Sequence, residues 1–336
     1  MSGAAIDVVV PSAGRRSLAA LLEALAAGTG ELPGRILVVD DRRDRRAPLL
    51  PDGPPPELRD RLEVVAGAAA GPAAARNAGW RARDGDWVAF LDDDVLPRLE
   101  WVERLVADVA AAAPSVGGVQ GRVRVPMPRG RRPTDWERNV AGLESARWAT
   151  ADMAYRREAL VAIGGFDERF PRAYREDSDI GLRIEAAGWS LARGEREVLH
   201  PVGPASPWIS VRRQAGNADD ALMAALHGRR WRVAAGAPKG RRPRHAAVTA
   251  AGALMLAAAA LGRRRAAALT GAAWLAGTLE LAWARIAPGP RTAVEIGLML
   301  VTSAAIPPAA SVHYLRGVAR RQRLPGSRSR WPRRTR

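Results

Sequence analysis

An apolar run, Trp87-Val88-Ala89-Phe90-Leu91, stops abruptly at three consecutive carboxylates, Asp92-Asp93-Asp94. A short run with β-branched and aromatic members reads as a buried strand, and ligands of open α/β sheets gather at the carboxyl ends of such strands. Three adjacent like charges repel one another unless a cation or several donors neutralise them. Hard divalent cations such as Mg²⁺ or Mn²⁺ favour such oxygens. A solvated turn closing the strand is the other reading, since Asp is common in turns.

Upstream, Ile6 to Pro11 reads as a first buried strand, and Leu18, Leu21, Leu22 and Leu25 recur at helical spacing behind it. A second apolar run, Arg35 to Val39, ends in Asp40-Asp41. Strand, helix and strand with apolar runs on both strands make a βαβ unit, so the sheet is expected to begin parallel with a right-handed crossover. A proline-rich loop over 47–58 precedes a short strand near 62–65. Pro72 then opens a helix that carries Arg76 and Asn77 on its early turns, where a phosphate could sit, although as a lone feature such a stretch is more often an ordinary Ala-rich packing helix. Pro97 is expected to start another helix, and Val116 to Val125 to form a strand. Pro126 to Pro133, with Arg129, Arg131 and Arg132, reads as a basic loop.

Further on, Asp177 to Ala187 has the spacing of a helix, with Gly188 as its stop and Asp177 and Asp179 on its first turn. The helix dipole alone favours acids there. A carboxylate on that turn facing a bound substrate could also take a proton from an attacking hydroxyl.

Charge narrows the classes. The formal net charge is +17, but residues 1–228 hold 31 basic and 33 acidic side chains, a net of −2, and residues 229–336 hold 21 basic and 2 acidic, a net of +19. The near-neutral first part argues against a nucleic-acid partner there. The chain has no cysteine, which excludes disulfides and zinc–thiolate sites. Met1 to Asp7 lacks a basic segment followed by an apolar core, so no cleavable secretory signal is expected.

Taken in order, Val8–Pro11, Val39-Asp40-Asp41, Ala75-Arg76-Asn77-Ala78-Gly79, Phe90-Leu91-Asp92-Asp93-Asp94, Gly164-Gly165-Phe166-Asp167-Glu168 and Glu176-Asp177-x-Asp179 resemble the motifs of family 2 glycosyltransferases over about residues 6–200. The resemblance implies an α/β fold of the GT-A type, a mainly parallel sheet flanked by helices, and inverting, metal-dependent transfer of a sugar from a nucleotide-diphosphate donor. It implies roles by position. Pro11, Asp40, Asp41, Arg76, Asn77, Asp92 and Asp93 would line the donor. Asp92 and Asp94 match the Asp-x-Asp acids that bind Mn²⁺ or Mg²⁺, with His200 close to the metal or diphosphate. Asp177 matches the general base, and Asp152 and Glu176 would lie on the acceptor side. The sequence departs from the family at Ser12-Ala13-Gly14-Arg15 and Arg42-Arg43-Asp44-Arg45-Arg46, both at the donor site, and at Asp152, where many relatives have Asn.

The remainder sets the expected organisation. Residues 1–228 would form the catalytic domain, 229–245 a basic linker, 246–315 apolar helices with a probable transmembrane hairpin (266–284, 292–315), and 316–336 a basic disordered tail. The stretch 246–261 is short for a span. A soluble Ala-rich bundle is the other reading of this region, and its basic segments suit anionic headgroups either way. The expectation is a transferase at the cytoplasmic face of the plasma membrane, acting on a lipid-linked or envelope glycan acceptor. A nucleotidyltransferase and a catalytically degenerate membrane-associated adaptor are the rivals. The first is disfavoured, because the chain has no glycine-rich basic loop after its opening strand to cradle a triphosphate.

Overall fold

The apolar runs become strands β1 (Ile6–Ser12), β2 (Ile36–Asp40), β3 (Leu62–Ala66), β4 (Trp87–Leu91) and β6 (Val116–Arg124), joined in the sheet by β5 (Leu96–Pro97), β7 (Asp152–Arg156) and β8 (Ser190–Leu199). The computed structural model describes residues 4–322. It divides into two units, Met1–Pro126 with Ala141–Val202, and Met127–Val140 with Gly203–Arg336.

In the first unit one eight-stranded sheet has the order β3-β2-β1-β4-β7-β6-β8-β5. Strands β3, β2, β1 and β4 are mutually parallel. Strand β7 runs antiparallel to both β4 and β6. The chain moves outward from β1 to β2 and β3, then returns to lay β4 on the other side of β1. The strand order therefore reverses between β1 and β4, which is where α/β sheets place their ligands.

Helices α1 (Ser17–Ala26), α2 (Pro72–Arg81), α3 (Trp101–Ala110), α5 (Arg157–Ile163) and α6 (Glu176–Ala186) belong to this unit; α4 (Asp135–Ala141) lies between α3 and α5 in the chain. One apolar cluster joins Val9, Leu37, Val39, Val88, Phe90, Met153, Tyr155, Phe166, Ile180 and Ile184. The Phe90 ring meets Phe166 edge-on at 5.2 Å and Tyr155 at 6.1 Å, so the strand that ends in the acids is anchored in the middle of the core. Pro97 does not start a helix. It pairs with Val198 in β5, an edge strand where the missing N–H costs no ladder bond, and α3 begins at Trp101.

The second unit holds α7 (Ile209–Arg212), α8 (Asn217–Leu226), α9 (Trp231–Ala234), α10 (Arg242–Ala260), α11 (Arg264–Ile286) and α12 (Ala293–Gln322). Three expected boundaries shift. The first compact unit ends at Val202, against the expected boundary at 228, and 127–140 group with the second unit. The linker 229–245 contains α9, whose Trp231 is buried, and the first turn of α10. Of the tail, residues 316–322 continue α12, and Gly317 lies so close to Ala218 of α8 that a Cβ would come within 2.5 Å of its carbonyl oxygen. Packing against α8 makes that segment helical; residues 323–336 lie outside the described residues. Among the described residues one helix, Ala293–Arg320, is long and apolar enough to cross a membrane, and 33% of its apolar window is buried within the structure.

Candidate active site

The three acids after β4 point different ways. Asp93 is buried, accepts a 2.7 Å hydrogen bond from the Ser12 hydroxyl at the end of β1, and lies 3.1 Å from the Arg15 guanidinium. Asp92 and Asp94 keep 28% and 31% of their side chains exposed. The pair that faces outward is therefore the first and third acid. Burial pushes the Asp93 and Asp94 carboxyls above the ordinary range. The Ser12 hydrogen bond and the Arg15 charge oppose this at Asp93, and His200 and Arg15 at Asp94.

Arginines neutralise the cluster. Arg15, half exposed, sits 2.5 Å from Asp94 Oδ2 as well as on Asp93. Arg76, buried on α2, reaches Asp92 at 2.7 Å with one nitrogen and Glu176 at 3.1 Å with another. Against the cost of burial, the charges of Asp92, Glu176 and Asp177 hold its guanidinium above the ordinary range. This bridge ties the end of β4 to the first turn of α6. There Asp177 accepts from the Thr150 hydroxyl at 2.5 Å and the Thr150 N–H at 3.3 Å. Gly181, one turn on, has no Cβ to clash with the Trp148 ring, which lets the 148–150 segment lie against α6. Burial raises the Asp177 carboxyl above the usual range, opposed first by Arg76. Burial and the charge of Asp177 push Glu176 up to about 8.

Several sequence expectations meet side chains already engaged. Asp40 is buried and accepts from the Arg42 backbone N–H at 3.1 Å and from its guanidinium at 2.9 and 2.8 Å, so three of about four lone-pair positions are taken. Asp41 accepts from the N–H groups of Gly71 at 2.9 Å and Ala70 at 3.3 Å, and fixes the turn before α2. Pro11 ends the apolar part of β1, in register with Val39.

Three more expected site residues are engaged with protein partners. The Asn77 amide donates to Phe166 O and Glu168 and accepts from Trp80 and the Phe166 N–H, stapling 164–168 to α2. Asp152 is buried, 2.7 Å from Arg196 and 3.0 Å from the Trp101 indole N–H. Losing one partner of such a buried pair costs about 3–5 kcal/mol, a structural role. Glu176 is likewise buried beneath Arg76, not open to an acceptor.

His200 does arrive at the site. Its Nε2 lies 3.5 Å from Asp94 Oδ1. Among the described residues no three His, Cys, Asp or Glu side chains gather into a metal-holding group. The donor set still suits a hard cation, since Mg²⁺ is usually bound through one or two carboxylates plus substrate phosphates. Asp92 and Asp94 supply the carboxylates, and the proton-favouring surroundings of Asp94 are those a cation would relieve.

Sequence reasoning missed Ser12, Thr150 and the pairings of Arg15 and Arg42. Both arginines stood out as departures from the motif pattern; their partners lie 79 and 2 residues away, and only the second pair is local enough to read from spacing.

Residues 7–165 match the family model described as "Glycosyl transferase family 2". The chain is 29% identical over 252 residues to the succinoglycan biosynthesis protein ExoM of Rhizobium meliloti (strain 1021), covering 70% of this chain and 82% of that one. It is 34% identical over 135 residues to the pre-mycofactocin glycosyltransferase of Mycobacterium tuberculosis, covering 36% of this chain and 28% of that protein. Among solved structures, S. aureus TarS 1–349 in complex with UDP aligns with a TM-score of 0.44 at 16% identity, over 67% of this chain and 68% of TarS 1–349. GalNAc-T7 with UDP, GalNAc and Mn²⁺ aligns at 0.47 and 16%, over 68% of this chain and 52% of that one.

Proposed function

Residues 7–165 belong to glycosyl transferase family 2, and from that premise we propose that the chain is an inverting, metal-dependent transferase. It moves a sugar from a nucleotide-diphosphate donor to a hydroxyl of a lipid-linked or envelope glycan acceptor at the cytoplasmic face of the plasma membrane. The observation that carries the mechanism is the Arg76 bridge, which joins Asp92 to the turn that bears Asp177. A strand-end acid pair and a buried-side carboxylate thus share one electrostatic cluster. The name of the Rhizobium relative, a succinoglycan biosynthesis protein, supports an exopolysaccharide or envelope acceptor.

In this reading Asp92 and Asp94, with His200, would hold the cation, which when bound neutralises charge on the leaving diphosphate. Asp177, oriented by Thr150, takes the acceptor hydroxyl proton. The acceptor oxygen forms its bond to the anomeric carbon from the face opposite the diphosphate. The bond to the diphosphate oxygen breaks, its electron pair leaves with the nucleoside diphosphate, and the configuration inverts. Arg76 keeps Asp92 aimed at the donor side and lowers the cost of a negative Asp177.

The test is a panel of UDP-, GDP- and dTDP-sugars with Mn²⁺ or Mg²⁺, following binding and the released nucleotide. Asp94→Asn should lose metal-dependent donor binding. Asp177→Asn should bind donor while turnover falls about 10²–10⁴-fold, the usual worth of a positioned base. Release of pyrophosphate in place of nucleoside diphosphate would make the chain a nucleotidyltransferase, and no binding of any donor would favour a non-catalytic role.

A further inference from the structure

Helices α10 and α11 form an antiparallel pair joined by a three-residue turn. Glycines on both helices permit a close approach: a Cβ at Gly252 would meet the Trp274 ring at 2.9 Å, one at Gly277 would meet Val248 at 2.4 Å, and one at Gly271 would meet the Met255 sulfur at 3.1 Å. No charged residue occurs in 246–261 or 266–279. No residue of α10 is buried, and none of α11 before Thr278. The exposed side chains include Leu254, Leu256, Leu261, Leu269 and Leu275. At about 1.5 Å per residue the charge-free length is roughly 24 Å along α10. A helix pair that is apolar all round belongs in an apolar medium. Its tip carries Arg263, Arg264 and Arg265, all exposed, and its base pairs Arg241 and Arg244 with Glu280.

Helix α12, which passes the length and composition test for a span, is built differently. Met299, Thr302, Ser303, Ile306 and Ala310 are buried. Arg285 of α11 is buried and donates to Thr302 at 2.8 Å, Ser303 at 3.0 Å, Ser210 at 2.9 Å and Asp135 at 2.8 Å. The far end of α12 packs on α8, which carries buried Asp219 and Asp220. Moving α12 into lipid would strip a buried cation of its partners and drag acids with it.

We propose that the α10–α11 hairpin enters an anionic phospholipid bilayer tip first, and that α12 stays docked on its unit instead of spanning. The charge-free length falls somewhat short of a hydrocarbon core of about 30 Å. The aliphatic stems of Arg263–Arg265 cover the remainder and set their guanidiniums among phosphates. Charge complementarity selects anionic lipid over a second copy, whose own arginine tips would repel these. The inference deepens the membrane attachment proposed above and replaces the hairpin expected over 266–284 and 292–315.

The absence of cysteine makes the test direct. Full-length Leu256→Cys, Leu269→Cys, Val301→Cys and Val312→Cys, each labelled with the fluorophore NBD, are mixed with vesicles of phosphatidylglycerol and phosphatidylcholine; melting curves check that each variant is folded. Labels at 256 and 269 should shift to the blue and resist dithionite, while those at 301 and 312 stay aqueous. Replacing Arg263, Arg264 and Arg265 together by Ser should weaken co-sedimentation by about tenfold or more. Co-sedimentation with burial only at 301 and 312 would overturn the hairpin assignment and leave membrane attachment standing. Failure to co-sediment would overturn both. Shielding at 256 and 269 without vesicles, in a dimer, would assign the face to a second copy.

Discussion

At the scale of single residues the site is a set of carboxylates sorted by their partners. Asp93, Asp152 and Glu176 are buried and paired inward, whereas Asp92, Asp94 and Asp177 keep a face open. Arg15 occupies the position on Asp94 that a divalent cation would share. Arg15→Gln is therefore expected to raise Mn²⁺ affinity without nucleotide on the order of tenfold, about 1.4 kcal/mol, as followed by electron paramagnetic resonance. An unchanged or weaker affinity would show that the guanidinium does not compete. Glu176 supplies a pH test. Its folded pKa of about 8 stands above the roughly 4.3 of an unfolded chain, so the native state keeps a proton that the unfolded state has lost. Its contribution to stability is complete below about pH 4.3 and is lost as pH rises through about 8. The melting temperature of Glu176→Gln should fall less steeply across that window; parallel curves would count against a raised pKa.

At the scale of elements, α2 decides how the sheet edge beside the strand-end acids is assembled. Asp41 holds the turn at Gly71, whose φ of 103° suits glycine, and Gly79 lies against β1 and β2. A Cβ at Gly79 would come 2.4 Å from Val9 and 3.0 Å from Val39, both in the core. Gly79→Ala should therefore destabilise the first unit by about 1–3 kcal/mol and shift Arg76, which the same helix carries, away from Asp92. Chemical denaturation and donor affinity should fall together. A variant of wild-type stability would mean that α2 can move outward at little cost. Helix α6 is placed from its other side, by Asp179 and Arg183 at 2.7 Å and by Arg183 on the carbonyls of Ile163 and Gly165. The acids of its first turn are thus divided between anchoring the helix and facing the site.

At the scale of the whole molecule, the charge count and the structure agree on a division of labour. The sheet unit turns a few of its arginines inward, Arg76 onto Asp92 and Glu176, Arg183 onto Asp179 and Arg196 onto Asp152. The second unit has few acids, pairs them with arginines such as Arg131, Arg232 and Arg241, and leaves others, Arg263 to Arg265 among them, exposed. Arg285 is the exception there, buried among Asp135, Ser210, Thr302 and Ser303. That network joins residues 75 and 150 positions apart in the chain, and it is why apolar length alone misreads α12.

The strands of the parallel half, their carboxyl-end acids and the first turn of α6 were legible in the amino-acid sequence, because each is local: a continuous apolar run, the acids that end it, and a helical spacing. Which carboxylates remain available was decided only by tertiary structure. Asp152 and Asn77 carry the same groups as a ligand-binding residue would, and their engagement with Arg196, Phe166 and Glu168 rests on contacts across 44 to 91 residues. The same holds for the apolar helices. Composition marks all three as candidates for burial, but a helix buries its apolar face against protein or against lipid according to what else packs beside it, and that is a property of the folded chain.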